Sequence, residues 1–453
     1  MVIFCFCWFL ALYGAAFIVS KNKDVFSPLR FVALKYALLN LSFIGYMCFY
    51  PGAFSKDILQ VCNVTLDEAF LQYTIVQTIA FLALVGGMMA FSKKGAIAMP
   101  DITVYNYTHL KRLSVFFFTL GLGVYCLFIY RSGGLLYVVN NFDKRVALKA
   151  GQHYLSLLQG LNIGCMLQFL CVKLRNKAAD KILLVAFLST TIGAFACLGG
   201  REGNLLLVIM CIVATHYIIK RLKVTKKSIL AFGLGGVLCV FYILAIPLMR
   251  IRQQKAPTGK EINYTKQVSV KKLVYNVSYA YIDVFAANYF NRDNAWCLHG
   301  FFEPAAALFA KPDKSNIPQV DQGVYFASIV LDKKDFRPPL PRKETAKLSW
   351  PTENFGFAYA NFLIPGVILF FFLQGVVFMA AYRVLRRDVF NPVLIILYVY
   401  VIFDFNFSSL RLAMFIKLLP VFYFGYIIFN KFVKGKSLKQ SLLLPKRRRL
   451  GLK

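Results

Sequence analysis

Charge is what this sequence has least of, and negative charge above all. Asp and Glu number 20 against 53 Lys and Arg, and charged residues of both signs fill 16% of the 453 positions. With 58% hydrophobic residues and a mean hydropathy of +0.60, the chain is too apolar to be soluble at this length, so an architecture of two or three soluble domains is excluded. Histidine is also scarce: His109, His153, His216 and His299 are scattered with no HExxH, which speaks against a metal centre built on them. There is no CxxC pair, Walker loop or GxGxxG, so neither a zinc site nor a nucleotide energy source is indicated. No cofactor is implied.

What fills the chain is apolar runs of about 20 residues, the length that crosses a hydrocarbon core of about 30 Å. They read as Ile3 to Val19, Phe31 to Tyr50, Phe70 to Phe91, Val115 to Tyr130, Tyr154 to Val172, Ile182 to Leu198, Leu205 to Ile219, Ile229 to Met249, Phe355 to Tyr382, Pro392 to Phe407 and Leu412 to Phe429. The expected fold class is an all-α polytopic membrane protein of about eleven spans. The first run lacks a basic flank and a small-residue cleavage site, and so reads as a retained span. The expected organisation is a bundle over 1–249, a long loop over 250–354, C-terminal spans over 355–430 and a basic tail over 431–453.

The net charge of +33 is not a nucleic-acid patch, because the basic residues sit in short clusters between spans. Alternate connections differ in Lys and Arg. One set holds clusters such as Lys220, Arg221, Lys223, Lys226 and Lys227; the opposite set holds few. Basic residues stay cytoplasmic, so the N-terminus and the long loop are expected outside and the C-terminus inside. Cys62 and Cys297 are the only cysteines of the 11 in outer loops, where a disulfide between them stays open.

Arginines stand at the outer ends of spans. Arg201 lies in the tight turn Gly199-Gly200-Arg201-Glu202-Gly203, whose glycines leave backbone amides open to a ligand. Arg411 lies in a similar turn, with Asp404 seven residues before it as a candidate partner. Arg250 and Arg252 leave the eighth span, and Arg145 lies in a loop with the spacing of a short interfacial helix. Each arginine reads either as an anchor among lipid headgroups or as a ligand for phosphate oxygens, which a guanidinium fork suits. From Gln267 to Asn291, Val270, Val274, Tyr275, Tyr279, Ile282, Phe285 and Tyr289 recur at helical spacing. They describe an amphipathic helix whose tyrosines either pack on the bundle or meet sugar rings. Glu353 and Glu303 are the outer-face carboxylates suited to a general base, or else surface charges paired with lysines.

With these residues the chain resembles the Wzy-type polymerases of bacterial O-antigen and capsular polysaccharides. The features that match are the Gly-Gly-Arg turn at Arg201, the loop from Arg145 to Gly151 and Lys311-Pro312. Pro351-Thr352 leading to Phe355-Gly356, and Arg411 before the last span, match as well. The resemblance implies an inner-membrane glycosyltransferase with a periplasmic active site, whose donor and acceptor are undecaprenyl-pyrophosphate-linked oligosaccharides. It implies Arg201 and Arg411 as catalytic residues, with Glu353 and Glu303 tested as bases, and Arg145, Arg250, Arg252 and Tyr279 binding substrate. A chain-length-regulating co-polymerase is the implied partner besides membrane lipids. An O-antigen ligase, for which His299 is the one histidine in the long loop, and a flippase or exporter are the alternatives.

Overall fold

A computed structural model describes residues 1–20, 24–92, 103–141, 148–149, 152–198, 202–220, 222, 269–297, 321–345 and 348–437. In chain order the elements are α1 (Val2–Val19), α2 (Pro28–Phe49), α3 (Lys56–Cys62), α4 (Leu66–Ala90), β1 (Thr103–Tyr105), α5 (Tyr107–Arg131), α6 (Leu135–Asn140), α7 (His153–Arg175), α8 (Ala178–Cys197) and α9 (Glu202–Ile219). After these come α10 (Val270–Val277), α11 (Ala280–Tyr289), α12 (Gln322–Asp332), α13 (Asn354–Arg387), α14 (Pro392–Phe403), α15 (Ser409–Phe432) and β2 (Lys434–Ser437). Among the described residues nine helices are long and apolar enough to cross a membrane, and α14 is a shorter apolar helix. The chain is an all-α, multi-pass membrane protein. The expected eighth span, Ile229 to Met249, lies outside the described residues.

Two compact units interleave along the sequence. Unit 1 takes Met1–Lys93, Asn263–Ala380 and Val401–Lys417, and unit 2 takes Lys94–Ile262, Ala381–Tyr400 and Leu418–Lys453.

In unit 2, α5 and α7 cross where glycine removes the side chain. A Cβ on Gly160 would lie 2.6 Å from the Phe117 carbonyl oxygen, and one on Gly121 would lie 2.5 Å from the Leu161 nitrogen. Such small-residue seams replace the hydrophobic drive that lipid does not supply. The wholly buried Asp180 at the start of α8 receives the Lys111 ammonium at 3.3 Å and the Tyr107 hydroxyl at 2.8 Å, which ties α8 to the start of α5. The two short strands pair antiparallel.

In unit 1, α4 begins with a capping box, in which Glu68 accepts from the Thr65 backbone at 2.8 Å and Thr65 Oγ1 accepts from the Glu68 backbone at 3.4 Å. It packs backbone to backbone on α13, since a Cβ on Gly87 would sit 2.0 Å from the Phe372 carbonyl oxygen and one on Gly375 2.1 Å from that of Leu84. The amphipathic stretch from Gln267 to Asn291 is two helices. Ser269 caps α10 by accepting from the Lys272 backbone at 3.2 Å, the chain breaks at Ser278 and Tyr279, and α11 follows. Ile282, Val284, Phe285, Ala286 and Ala287 of α11 are buried against α3 and α4, so this helix is part of the core of the unit. It sinks because it is apolar on nearly every face. Cys62 and Cys297 are both free thiols.

The largest departure from the sequence reading is α13, expected as one span over Phe355 to Tyr382. A straight helix of its 34 residues would run about 51 Å. Instead, Leu363 adopts φ 52° and ψ −141°, and the chain doubles back there. The rings of Phe355 and Phe371 approach to 6.5 Å and those of Phe357 and Phe370 to 5.2 Å. Asn354 Nδ2 donates to Gln374 Oε1 at 3.2 Å. The element is a helical hairpin with a short arm, 354–362, laid antiparallel on a membrane-length arm, 364–387. Pro365 has no N–H to continue the short arm, and Gly366 leaves room for the Ala358 carbonyl, which would lie 2.5 Å from a Cβ there. The short arm is buried from Asn354 to Asn361, with Phe357, Ala358, Ala360 and Asn361 0% exposed. The carbonyl of Ala360 accepts from the Trp296 backbone at 2.8 Å, which satisfies a group freed by the break.

A polar cavity in unit 1 as the candidate functional site

The short arm begins inside the unit, and Asn354 lies beside Gln374, near the middle of the long arm. Asn40 and Gln77, near the middles of α2 and α4, face the same place. The result is a small polar cavity at mid-helix depth, lined also by Lys35, Tyr36, Tyr279, Asp283 and Glu353. Asp283 comes from α11 and Glu353 from the residue before the hairpin, so the expected outer loop carries two carboxylates to the level of helix centres.

Among the described residues, neither the Asp283 nor the Glu353 carboxylate has a hydrogen-bond or ion-pair partner. Burial pushes the Asp283 carboxyl well above the usual carboxylate range, and the nearby charge of Glu353 raises it further. Lys35 lines the cavity, and its ammonium donates to the carbonyl oxygens of Ile402 at 3.1 Å and Phe403 at 3.4 Å.

A second cavity of about 240 Å³ is lined by Asp321, Ser349, Trp350, Thr352, Ser408 and Arg411. Arg411 Nη1 donates to Asp404 at 2.9 Å, so the partner suggested by their spacing is the partner found. Asp321 accepts from the Ser349 hydroxyl at 2.7 Å and the Gly323 backbone at 3.0 Å; burial raises its carboxyl, while those bonds and Arg411 oppose the rise. The two cavities meet the same stretch of chain: Trp350 to Thr352 line one, and Glu353 to Phe355 line the other. That stretch is fixed from both sides. Trp350 donates its backbone N–H to the Gly323 carbonyl at 3.0 Å, and Asn354 Oδ1 accepts from the Phe407 backbone at 3.3 Å.

Of the residues singled out by sequence, Tyr279 and Glu353 share the first cavity and Arg411 lies on the second. Arg145, Arg201, Arg250, Arg252, Glu303 and His299 lie outside the described residues. Sequence reasoning missed Asp283, Lys35 and Gln77. Their signal was present: Asp283 is the one acid in the apolar run of α11, and Lys35 and Gln77 interrupt spans that had no other reason to be polar. No family model, characterised protein or solved structure matches this chain.

Proposed function

We propose that the protein is a polymerase of lipid-linked repeat units, a metal- and nucleotide-independent membrane glycosyltransferase of the Wzy type. It moves a growing undecaprenyl-pyrophosphate-linked glycan onto the non-reducing end of an incoming unit at the periplasmic face of the inner membrane. The observation that carries this is that Tyr279, Glu353 and Arg411, from three separate stretches of one compact unit, line two cavities on either part of the 350–355 stretch, Trp350 to Thr352 lining one and Glu353 to Phe355 the other. In the reaction the acceptor hydroxyl attacks the anomeric carbon of the donor and its proton passes to a carboxylate. The bond to the pyrophosphate breaks, and that group takes up the negative charge. Arg411, oriented by Asp404, is suited to hold that charge, and removing one such donor costs on the order of 3 kcal/mol in the barrier. Glu353 lines a cavity too small for a sugar ring, so the proton reaches it from the acceptor hydroxyl through the one water that the cavity admits. Arg145, Arg201, Arg250, Arg252 and Glu303 keep the roles the resemblance implies, and a co-polymerase sets chain length.

One observation favours a second reading. A broken helix with carboxylates at mid-depth is also how cation-coupled transporters build their sites, so an exporter of the same lipid-linked glycan is the alternative. Gel analysis of surface polysaccharide in a deletion strain separates the two. The polymerase reading expects single repeat units on the lipid core in the deletion, and a ladder restored by wild type but not by Arg411→Ala or Glu353→Gln at matched membrane levels. Loss of the single-unit band as well would assign the protein to export, and an unchanged ladder in the deletion would end both readings.

A further inference from the structure

We propose that the cavity between α2, α4, α11 and the α13 hairpin binds one unit of positive charge, either a proton shared by Asp283 and Glu353 or a sodium ion between them. The site shares Glu353 with the polymerase reading, but its case rests on space and charge and its readouts do not depend on polymer formation.

The space is small. The cavity holds about 20 Å³, which admits about one water molecule or one small ion and no sugar ring. The charges in it do not cancel. Among the described residues, two unpartnered carboxylates face one ammonium, that of Lys35, which is already held by the Ile402 and Phe403 carbonyl oxygens and forms no ion pair with either acid. Among the described residues one negative charge is left over on half-buried carboxylates, where an ion short of compensation is costly. Among the described residues, the other titratable groups near Asp283 are phenols: Tyr13 on α1, Tyr36 on α2, Tyr73 on α4, and Tyr279 at the start of α11. Phenols are neutral near pH 7 and bring no positive charge. A proton or a monovalent cation closes the balance.

A second feature points to the same ligand. Gln77 is 1% exposed, forms part of the cavity wall and leaves its side-chain carbonyl oxygen without a hydrogen-bond partner. A buried acceptor left open costs about 1–3 kcal/mol unless something donates to it or coordinates it. A protonated carboxyl would donate to it, and a sodium ion would take it as an oxygen ligand. Burial also favours the protonated form of Asp283, which supports the proton arm.

The test uses the full-length protein, purified in detergent. Infrared difference spectra over a pH titration read a protonated carboxyl directly, and melting temperature in sodium chloride against choline chloride at equal ionic strength reads a sodium ion. A carboxylic-acid band in the wild type that disappears in both Asp283→Asn and Glu353→Gln supports the proton arm. A saturable rise in melting temperature with sodium but not choline, lost in the same variants, supports the sodium arm. If either variant fails to fold, Gln77→Leu probes the site without changing its charge, and is expected to shift the band or weaken sodium binding by about tenfold. Carboxylates fully ionised at neutral pH with no sodium effect would overturn the proposal. So would a band or a sodium effect that the variants leave unchanged.

Discussion

Asn354 and Gln374 are joined side chain to side chain at 3.2 Å although 20 residues separate them in what is formally one helix. In a straight helix they would lie about 30 Å apart. This contact turns a span into a hairpin and brings the Trp350 to Phe355 stretch, with its Glu353, inside the unit. Non-spanning helix at membrane depth survives only where protein or a cavity surrounds it, and the short arm is buried from Asn354 to Asn361. The hairpin and the polar cavity therefore depend on each other.

The fold-back is checked by cross-linking. In Asn354→Cys/Gln374→Cys the two thiols are expected to be bridged by a short bifunctional thiol cross-linker, detected by mass spectrometry in a background lacking the native cysteines. A straight helix would hold the two positions about 30 Å apart and give no bridge. Leu363→Gly tests the turn itself. Leucine at φ 52° pays about 1–3 kcal/mol of backbone strain that glycine avoids. The variant is expected to melt at the wild-type temperature or above it, and Leu363→Val below it.

The seam between α4 and α13 makes a graded prediction at neighbouring positions. A Cβ on Gly87 or Gly375 would strike a backbone carbonyl at about 2 Å, whereas on Gly86 its nearest neighbour is a ring carbon of Phe372 at 3.9 Å. Gly87→Ala and Gly375→Ala are each expected to cost about 1–3 kcal/mol in detergent-unfolding experiments, and Gly86→Ala less than about 0.5 kcal/mol. Equal losses at all three positions would mean that the helices do not cross there.

Run length and hydropathy made the spans legible, and ten of the eleven expected segments fall on helices. Periodicity also marked the stretch around Tyr279, and spacing gave the Asp404 and Arg411 pair. The hairpin was not legible. Its interior is as apolar as any span, and the deciding signal, Pro365-Gly366 after Leu363, resembles the kinks that continuous membrane helices tolerate. Periodicity gave one amphipathic helix on the bundle or membrane interface, its tyrosines packed on the bundle or open to sugar rings; the described residues form two helices, and Tyr275, Tyr279 and Tyr289 are half-buried. Tyr281 packs on Trp350 at 5.7 Å and Phe285 on Trp350 at 6.1 Å. Asp283 went unnoticed because a lone acid in an apolar run acquires meaning only when Glu353, 70 positions on, arrives beside it.

The Asp404 and Arg411 pair separates scaffold from chemistry. Asp404 is 7% exposed, and breaking a buried pair from one side costs about 3–5 kcal/mol because a charge is left behind. Asp404→Leu alone is expected to lower the yield of folded protein sharply. Asp404→Leu/Arg411→Leu is expected to recover most of the loss, since it removes both charges. If Arg411 serves the transfer reaction, the double variant folds yet leaves the polysaccharide ladder absent. A ladder restored together with the fold would reduce the pair to scaffold.

Stability against pH carries the sign of Asp283. Its carboxyl is raised in the folded protein by burial first and by Glu353 second, so the native state holds a proton that the unfolded chain releases. That contribution is complete below the unfolded value of about 3.9 and is lost as pH rises through the folded value, at up to about 1.4 kcal/mol per pH unit between them. The wild-type protein in detergent is therefore expected to melt at progressively lower temperature as pH is raised from mildly acidic towards neutral. Asp283→Asn keeps the shape and removes the titration, so its melting temperature should be flat, or flatter, over the same interval. A wild-type curve that rises with pH there would mean that Asp283 is ionised in the folded protein, with a cation other than a proton holding its charge.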